Sequence, residues 1–208
     1  MRKFIFLVSA LAFICASFSI IDNQEAQVKK AAQEQLQTAL AGIPAGQETN
    51  FGFSSREEFI SGTIGEVYRT ISLTKEFYGD ENLNNGNYIY FQNEWRVPVV
   101  VNGGNRVLLT VAGHDTALNV VDIGGALLAK EIQLKSIGQS SKDKFIFRIY
   151  PLTMDFIVFV EHGKSLEEGT YYPMNSAVMA IPALDGSSMT QAEVFQQIKK
   201  KIKETSKN

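Results

Sequence analysis

The chain has 208 residues, 45% hydrophobic and 20% charged, with 20 Lys and Arg against 22 Asp and Glu. That balance fits an ordinary globular protein with ample chain for a core, and excludes a disordered tail or a strongly basic nucleic-acid binder. One cysteine and two histidines leave no disulfide framework and little material for a metal site.

The first twenty residues read MRKFIFLVSALAFICASFSI: positive Arg2 and Lys3, an apolar run from Phe4, then small residues Ala16, Ser17 and Ser19. This is the order of a secretory signal peptide over 1–19, with cleavage expected near Ala16 to Ser19. The expected address is secreted, periplasmic or cell envelope. One alternative is an uncleaved anchor, because Phe4 to Ile21 just spans a ~30 Å bilayer; interrupting serines and the lack of a following basic cluster argue against it. The other is lipidation at Cys15, which Phe13 and Ile14 immediately before it disfavour. Removing Arg2 and Lys3, two positive charges, takes the net charge from −2 to −4 and leaves no cysteine.

Residues 20–45 read as an N-terminal helix and its connection. Val28, Ala32, Leu36 and Leu40 make an apolar stripe, Asp22 with Glu25 fits a capping box, and Gly42 and Pro44 stop the helix. Residues 46–208 read as a single α+β domain. Ser54 to Gly62 suggests one helical turn. Over 63–74, Val67, Ile71 and Leu73 alternate with Glu66, Tyr68, Thr70 and Ser72, as in a half-solvated strand. NYIYFQ (87–92) reads as another strand. WRVPVVV and RVLLTVA form a hairpin; with Asn102 to Asn105 as the turn, Val101 faces Arg106 and Val99 faces Leu108. ALNVVDIG (117–124) is a further strand and 125–138 a short central helix.

In KFIFRIYPLTMDFIVFVEHG a turn at Pro151-Leu152 pairs Phe145 with Val158, Phe147 with Phe156 and Ile149 with Met154, all apolar. On the other side Arg148 meets Asp155 and Lys142 meets Glu161, and a one-residue slip would destroy both patterns. Residues 170–183 read as a last strand or extended segment. The C-terminal helix starts at a Thr190/Glu193 capping box, buries Val194, Phe195, Ile198 and Ile202, and carries Lys199, Lys200, Lys201 and Lys203 where its dipole favours them.

Two runs of strands separated and flanked by helices imply α+β with a mostly antiparallel sheet. A weak echo, TIGE at 63–66 against SIGQ at 136–139 and Val97-Pro98 against Tyr172-Pro173, raises an internal duplication with halves 55–124 and 125–208. Proline donates no ladder hydrogen bond, so Pro98 and Pro173 mark strands that are edges or locally broken.

Catalytic material is sparse. His114 with Asp115 and Glu161 with His162 are two histidine–carboxylate pairs in glycine-flanked turns; an enzyme would need them to converge, and ordinary polar turns are the plainer reading. SLTK (72–75) matches SxxK only by letter, and Asp80, Asn82 and Asn84 resemble a calcium loop without its glutamate. No metal or cofactor is expected. Tyr88, Tyr90 and Trp95 cluster near an alternating strand and would form a stacking face for an envelope protein, peptide or glycan; packing in the core is the competing role. The expected function is an exported non-catalytic binding or interaction domain, envelope-associated or sensory, with no nucleic-acid partner and membrane contact only through an uncleaved leader. The alternative is a hydrolytic enzyme built on His114, Asp115, Glu161 and His162.

Overall fold

A computed structural model describes residues 24–83, 86–114 and 117–205. The leader, the Asp22 cap and Asp115 lie outside the described residues. The fold is α+β: an eight-stranded, mostly antiparallel sheet with helices on both faces. Helix α1 runs over 24–41. It is followed by β1 (Thr63–Ile64), β2 (Tyr68–Leu73), α2 (Lys75–Gly79), β3 (Ile89–Val101), β4 (Gly104–His114) and β5 (Ala117–Gly124). Then come α3 (Ala126–Lys135), β6 (Lys142–Ile149), β7 (Met154–Glu161), β8 (Thr170–Pro173), α4 (Asn175–Ala180) and α5 (Gln191–Thr205). The strand order is β5-β4-β3-β2-β6-β7-β8, with β1 beside β3. The pair β2–β6 is parallel, joined across β3–β5 and α3. Among the described residues no helix is long and apolar enough to cross a membrane.

The β6–β7 register is the one the sequence dictates, from Lys142↔Glu161 to Ile149↔Met154. Phe147, Ile149, Phe156 and Val158 are fully buried, and Lys142 reaches Glu161 at 3.0 Å. The connection is a 3-10 turn over Tyr150–Leu152 closed by Thr153 at φ +51°, one residue wider on each side than a tight Pro-Leu turn.

The β3–β4 hairpin forms with a different turn. Asn102 and Gly103 alone make it, at φ +52° and +73°, so Val101 pairs with Gly104 rather than Arg106. Asn-Gly is the strongest type I′ signal, and the primed turn matches strand twist better than a four-residue loop. A bulge at Val99/Val100 then sets Pro98 against Leu108.

Pro98 sits in a strand flanked on both sides, not at an edge. Its own carbonyl accepts from Gly65 N–H at 2.7 Å, in the gap where β1 ends and β2 has not begun. The missing N–H therefore falls where the neighbouring strand is broken, one of the two places a proline fits. Pro173 ends β8, the last strand in the order. The two echoed dipeptides thus take different places, since β3 pairs with β2 whereas β8 pairs with β7 rather than β6.

Three further expectations change. The two strands expected over 87–92 and from Trp95 form one continuous strand, Ile89–Val101. Residues 63–74 are not a half-solvated strand: β2 is buried on both faces, down to Thr70 and Ser72. Residues 175–180, expected as extended chain, are helix α4.

One sheet face holds two apolar clusters. Residues Val28, Ala32, Leu36 and Leu40 of α1 cover Trp95, Val97, Val99, Leu109 and Val111. Residues Val194, Phe195 and Ile198 of α5 cover Ile71, Phe147, Phe156 and Val158. On the opposite face, Ala129 and Ile132 of α3 cover Leu108, Ile146, Ile157 and Phe159. The Thr190/Glu193 capping box forms as expected, with Thr190 N–H donating to the Glu193 carboxylate at 2.8 Å. Lys199 departs from the solvated reading: its buried ammonium donates to the carbonyls of Phe77 and Tyr78 at the end of α2.

Candidate functional site

The strand directions place His114, Glu161 and His162. Strands β4 and β6 both run parallel to β2, and β7 runs against them. His114, at the end of β4, and Glu161 with His162, at the end of β7, therefore lie at opposite ends of the sheet. His114 Nδ1 meets Asn93 Nδ2 at 3.0 Å, His162 Nδ1 meets Asp143 at 2.9 Å, and Glu161 pairs with Lys142. The topology thus sets His114 apart from Glu161 and His162. Ser72, the serine of SLTK, is buried in β2 and donates to the Arg148 carbonyl at 2.7 Å. Asp80 accepts from the backbone N–H groups of Asn82 and Leu83 and from the Tyr88 hydroxyl, which is the bonding of a polar turn.

The expected aromatic face also divides. Tyr88 is 5% exposed and packs against Phe77 and Phe195 at 5.7 and 6.0 Å. Trp95 is 2% exposed, within the cluster under α1. Tyr90, at 45%, is the displayed member; it faces Ser72, on the sheet side opposite Trp95. The chain does not build one surface from these three rings, because Tyr88, before β3, and Trp95 are buried in separate clusters and only Tyr90 is displayed, on the other face of β3.

A different constellation forms beside Trp95. The β2–β3 ladder breaks between Arg69 and Ile71: Arg69 faces Trp95, Ile71 faces Phe91, and residues 92–94 bulge opposite Thr70 alone. Bulges free backbone groups and re-aim side chains. Here the Gln92 carbonyl accepts from Arg69 Nε at 3.3 Å. The guanidinium lies 4.6 Å from the Phe91 ring centroid and 5.8 Å from that of Trp95, within cation–π range of both. Phe91, 47% exposed, meets Phe145 edge-on at 5.9 Å. The seam lies between the cluster under α1 and the cluster under α5, where no helix side chain of either cluster covers Phe91.

Arg69 differs from the other arginines among the described residues. Arg56 pairs with Glu48, Arg96 with Glu94, Arg106 with Glu58 and Arg148 with Asp155. Arg69 is half-buried and has no carboxylate within ion-pair distance among the described residues. Burial lowers its pKa from the ordinary arginine value, with no neighbouring charge acting on it. Desolvating a cation costs free energy that a partner normally offsets.

The opposite face carries the compensated version. Arg96 bridges Glu94 at 2.9 Å and donates to Thr110, and Arg148 Nη1 stands 3.6 Å from Asp155. Asp155 is only 6% exposed, so its pair with Arg148 is not the solvated surface pair that the strand pattern allowed. Burial pushes its carboxyl above the usual aspartate range, against the pull of Arg148 and Arg96 and the Ser176 hydrogen bond. The folded chain then holds this proton more tightly than the unfolded chain. The cost of the buried carboxylate is complete above the folded pKa and is relieved as pH falls through the window down to the unfolded value. Asp155→Asn is expected to remove that component. Guanidinium melts of both proteins between pH ~4 and ~7 read it: the stability of the wild type relative to the variant should fall with rising pH, and a relative rise would contradict the sign.

A groove of about 940 Å³ also runs between the loop after α2 and helix α5, lined among others by Leu83, Tyr88, Phe195, Lys199 and Lys203. Two of its polar groups, the Tyr88 hydroxyl and the Lys199 ammonium, are already bonded within the chain. No family model, curated protein or solved structure matched this chain.

Sequence reasoning passed over Arg69. The signal was present: in the alternation that puts Val67, Ile71 and Leu73 on the apolar side, position 69 falls on that side too.

Proposed function

We propose that the chain is an exported, non-catalytic binding domain whose recognition site is the β2–β3 seam around Arg69, Phe91 and Phe145. The observation that carries this reading is a half-buried guanidinium held in place by Trp95, Phe91 and the Gln92 carbonyl, without an internal carboxylate. A fold seeking stability alone does better with an apolar residue or a complete ion pair at such a position. Separation of His114 from Glu161 and His162 favours binding over hydrolysis.

Export rests on the leader-like N-terminus. The mature chain is expected to begin between Ser17 and Asp22, as read by N-terminal sequencing of the secreted or envelope fraction. Recovery of intact Met1 in a soluble cytoplasmic pool would contradict it. Binding is tested by immobilising the mature chain and an Arg69→Met/Phe91→Ser variant and passing envelope protein and glycan fractions over each. The variant should retain at least tenfold less of one fraction, while equal retention of both would overturn the seam as the site.

A further inference from the structure

Resting on that binding reading, we propose that the seam takes a single carboxylate carried on an apolar body, with the Arg69 fork holding the two oxygens and Phe91 and Phe145 flanking the body. Three observations converge. First, Nε is occupied by the Gln92 carbonyl at 3.3 Å, which fixes the plane of the guanidinium, and among the described residues neither Nη group has a hydrogen-bond or ion-pair partner. A planar fork with two free parallel donors matches the two oxygens of a carboxylate.

Second, the charge is single. The other ion pairs of this region are complete, Arg96 with Glu94 on the opposite face of β3 and Lys144 of β6 with Glu66 before β2, and no second cation acts on Arg69. A phosphate dianion would be left half-compensated in this half-buried place, whereas one carboxylate balances one guanidinium. Third, the surroundings are apolar. Phe91 is half-exposed with its edge toward Phe145, and the buried Trp95 ring lies 5.8 Å from the guanidinium. Rings placed beside the fork favour a carboxylate that ends an aromatic or aliphatic group over a freely hydrated small anion.

The test is calorimetric titration of the mature chain with N-acetylphenylalanine, N-acetylphenylalanine amide and phenyl phosphate. Emission of Trp95, the chain's one tryptophan, serves as a second readout. The acid should bind saturably with a dissociation constant on the order of 1 mM, as one bidentate pair and one ring allow. The amide should bind at least tenfold more weakly. Arg69→Met should lose the acid by a similar factor, with its circular dichroism spectrum unchanged, and Arg69→Lys should keep part of the affinity. Equal binding of acid and amide, unchanged binding by Arg69→Met, or no saturable heat from the acid would overturn the proposal. Tighter binding of phenyl phosphate would overturn the carboxylate assignment. If the acid fails but the envelope fraction still distinguishes wild type from the Arg69→Met/Phe91→Ser variant, the binding reading stands and the ligand class falls.

Discussion

Phe156→Ala is expected to destabilise the protein by about 3–5 kcal/mol, the range for emptying a large buried aromatic site. Phe156 is fully buried on β7, opposite Phe147 on β6, with ring centroids 6.0 Å apart. The cluster it belongs to also takes Ile71, Tyr171 and Phe195 from β2, β8 and α5, so refilling the space would draw on several separate elements. Since a whole domain is stable by only about 5–15 kcal/mol, the variant should unfold at a much lower denaturant midpoint with an unchanged slope. Guanidinium unfolding followed by circular dichroism checks it. A loss under about 1 kcal/mol would mean that the cluster under α5 collapses freely around the gap.

Trp95→Ala is expected to cost a similar amount, about 3–5 kcal/mol. A displayed stacking residue would be replaced at almost no cost in stability; Trp95, 2% exposed under α1, is not such a residue. Its removal also withdraws the ring beneath Arg69. Binding at the seam would fall together with stability, whereas a Phe91 substitution should affect binding with little change in unfolding. In the wild type, Trp95 emission should be blue-shifted and protected from iodide. Red-shifted emission open to quenching would contradict its place in the core.

The elements whose two faces were both constrained by the sequence were legible in it. The β6–β7 register had apolar pairs on one side and opposite charges on the other, and no shifted pairing satisfies both. The helices at 24–41 and Gln191–Thr205 carried stripes and stop or cap signals that tertiary contacts had no reason to override. The β3–β4 register was misread because NGGN offers both a two- and a four-residue turn, and the choice turns on strand twist. Solvation of β2 was misread because a sequence does not reveal that β6 and β3 will flank it, with α5 on one face and α3 on the other. Helix α4 has six residues and no side-chain cap, so nothing local distinguished it from extended chain.

The site was legible only in part. Tyr88, Tyr90 and Trp95 lie where rings are dense, but alternation along β3 and the bulge at 92–94 decide which ring is shown, and the bulge belongs to the pairing rather than to either strand alone. Phe91, expected on the core side, is the ring displayed at the seam, and Trp95, expected to be displayed, is the buried ring beside Arg69. Arg69 could have been found as the one cation in phase with Val67, Ile71 and Leu73. The groups that surround it, Phe91, Gln92 and Trp95, lie 22 or more residues away in the sequence.

The central claim is that Arg69 serves a ligand and not the fold, and the stability of Arg69→Met in the absence of ligand tests it most directly. Methionine keeps an apolar stem against Phe91 and Trp95 and relieves the desolvated charge while losing the cation–π contacts, so unfolding free energy should stay within about 1 kcal/mol of the wild type or rise. A loss of about 3 kcal/mol or more would make Arg69 a structural residue with an internal partner and contradict the account.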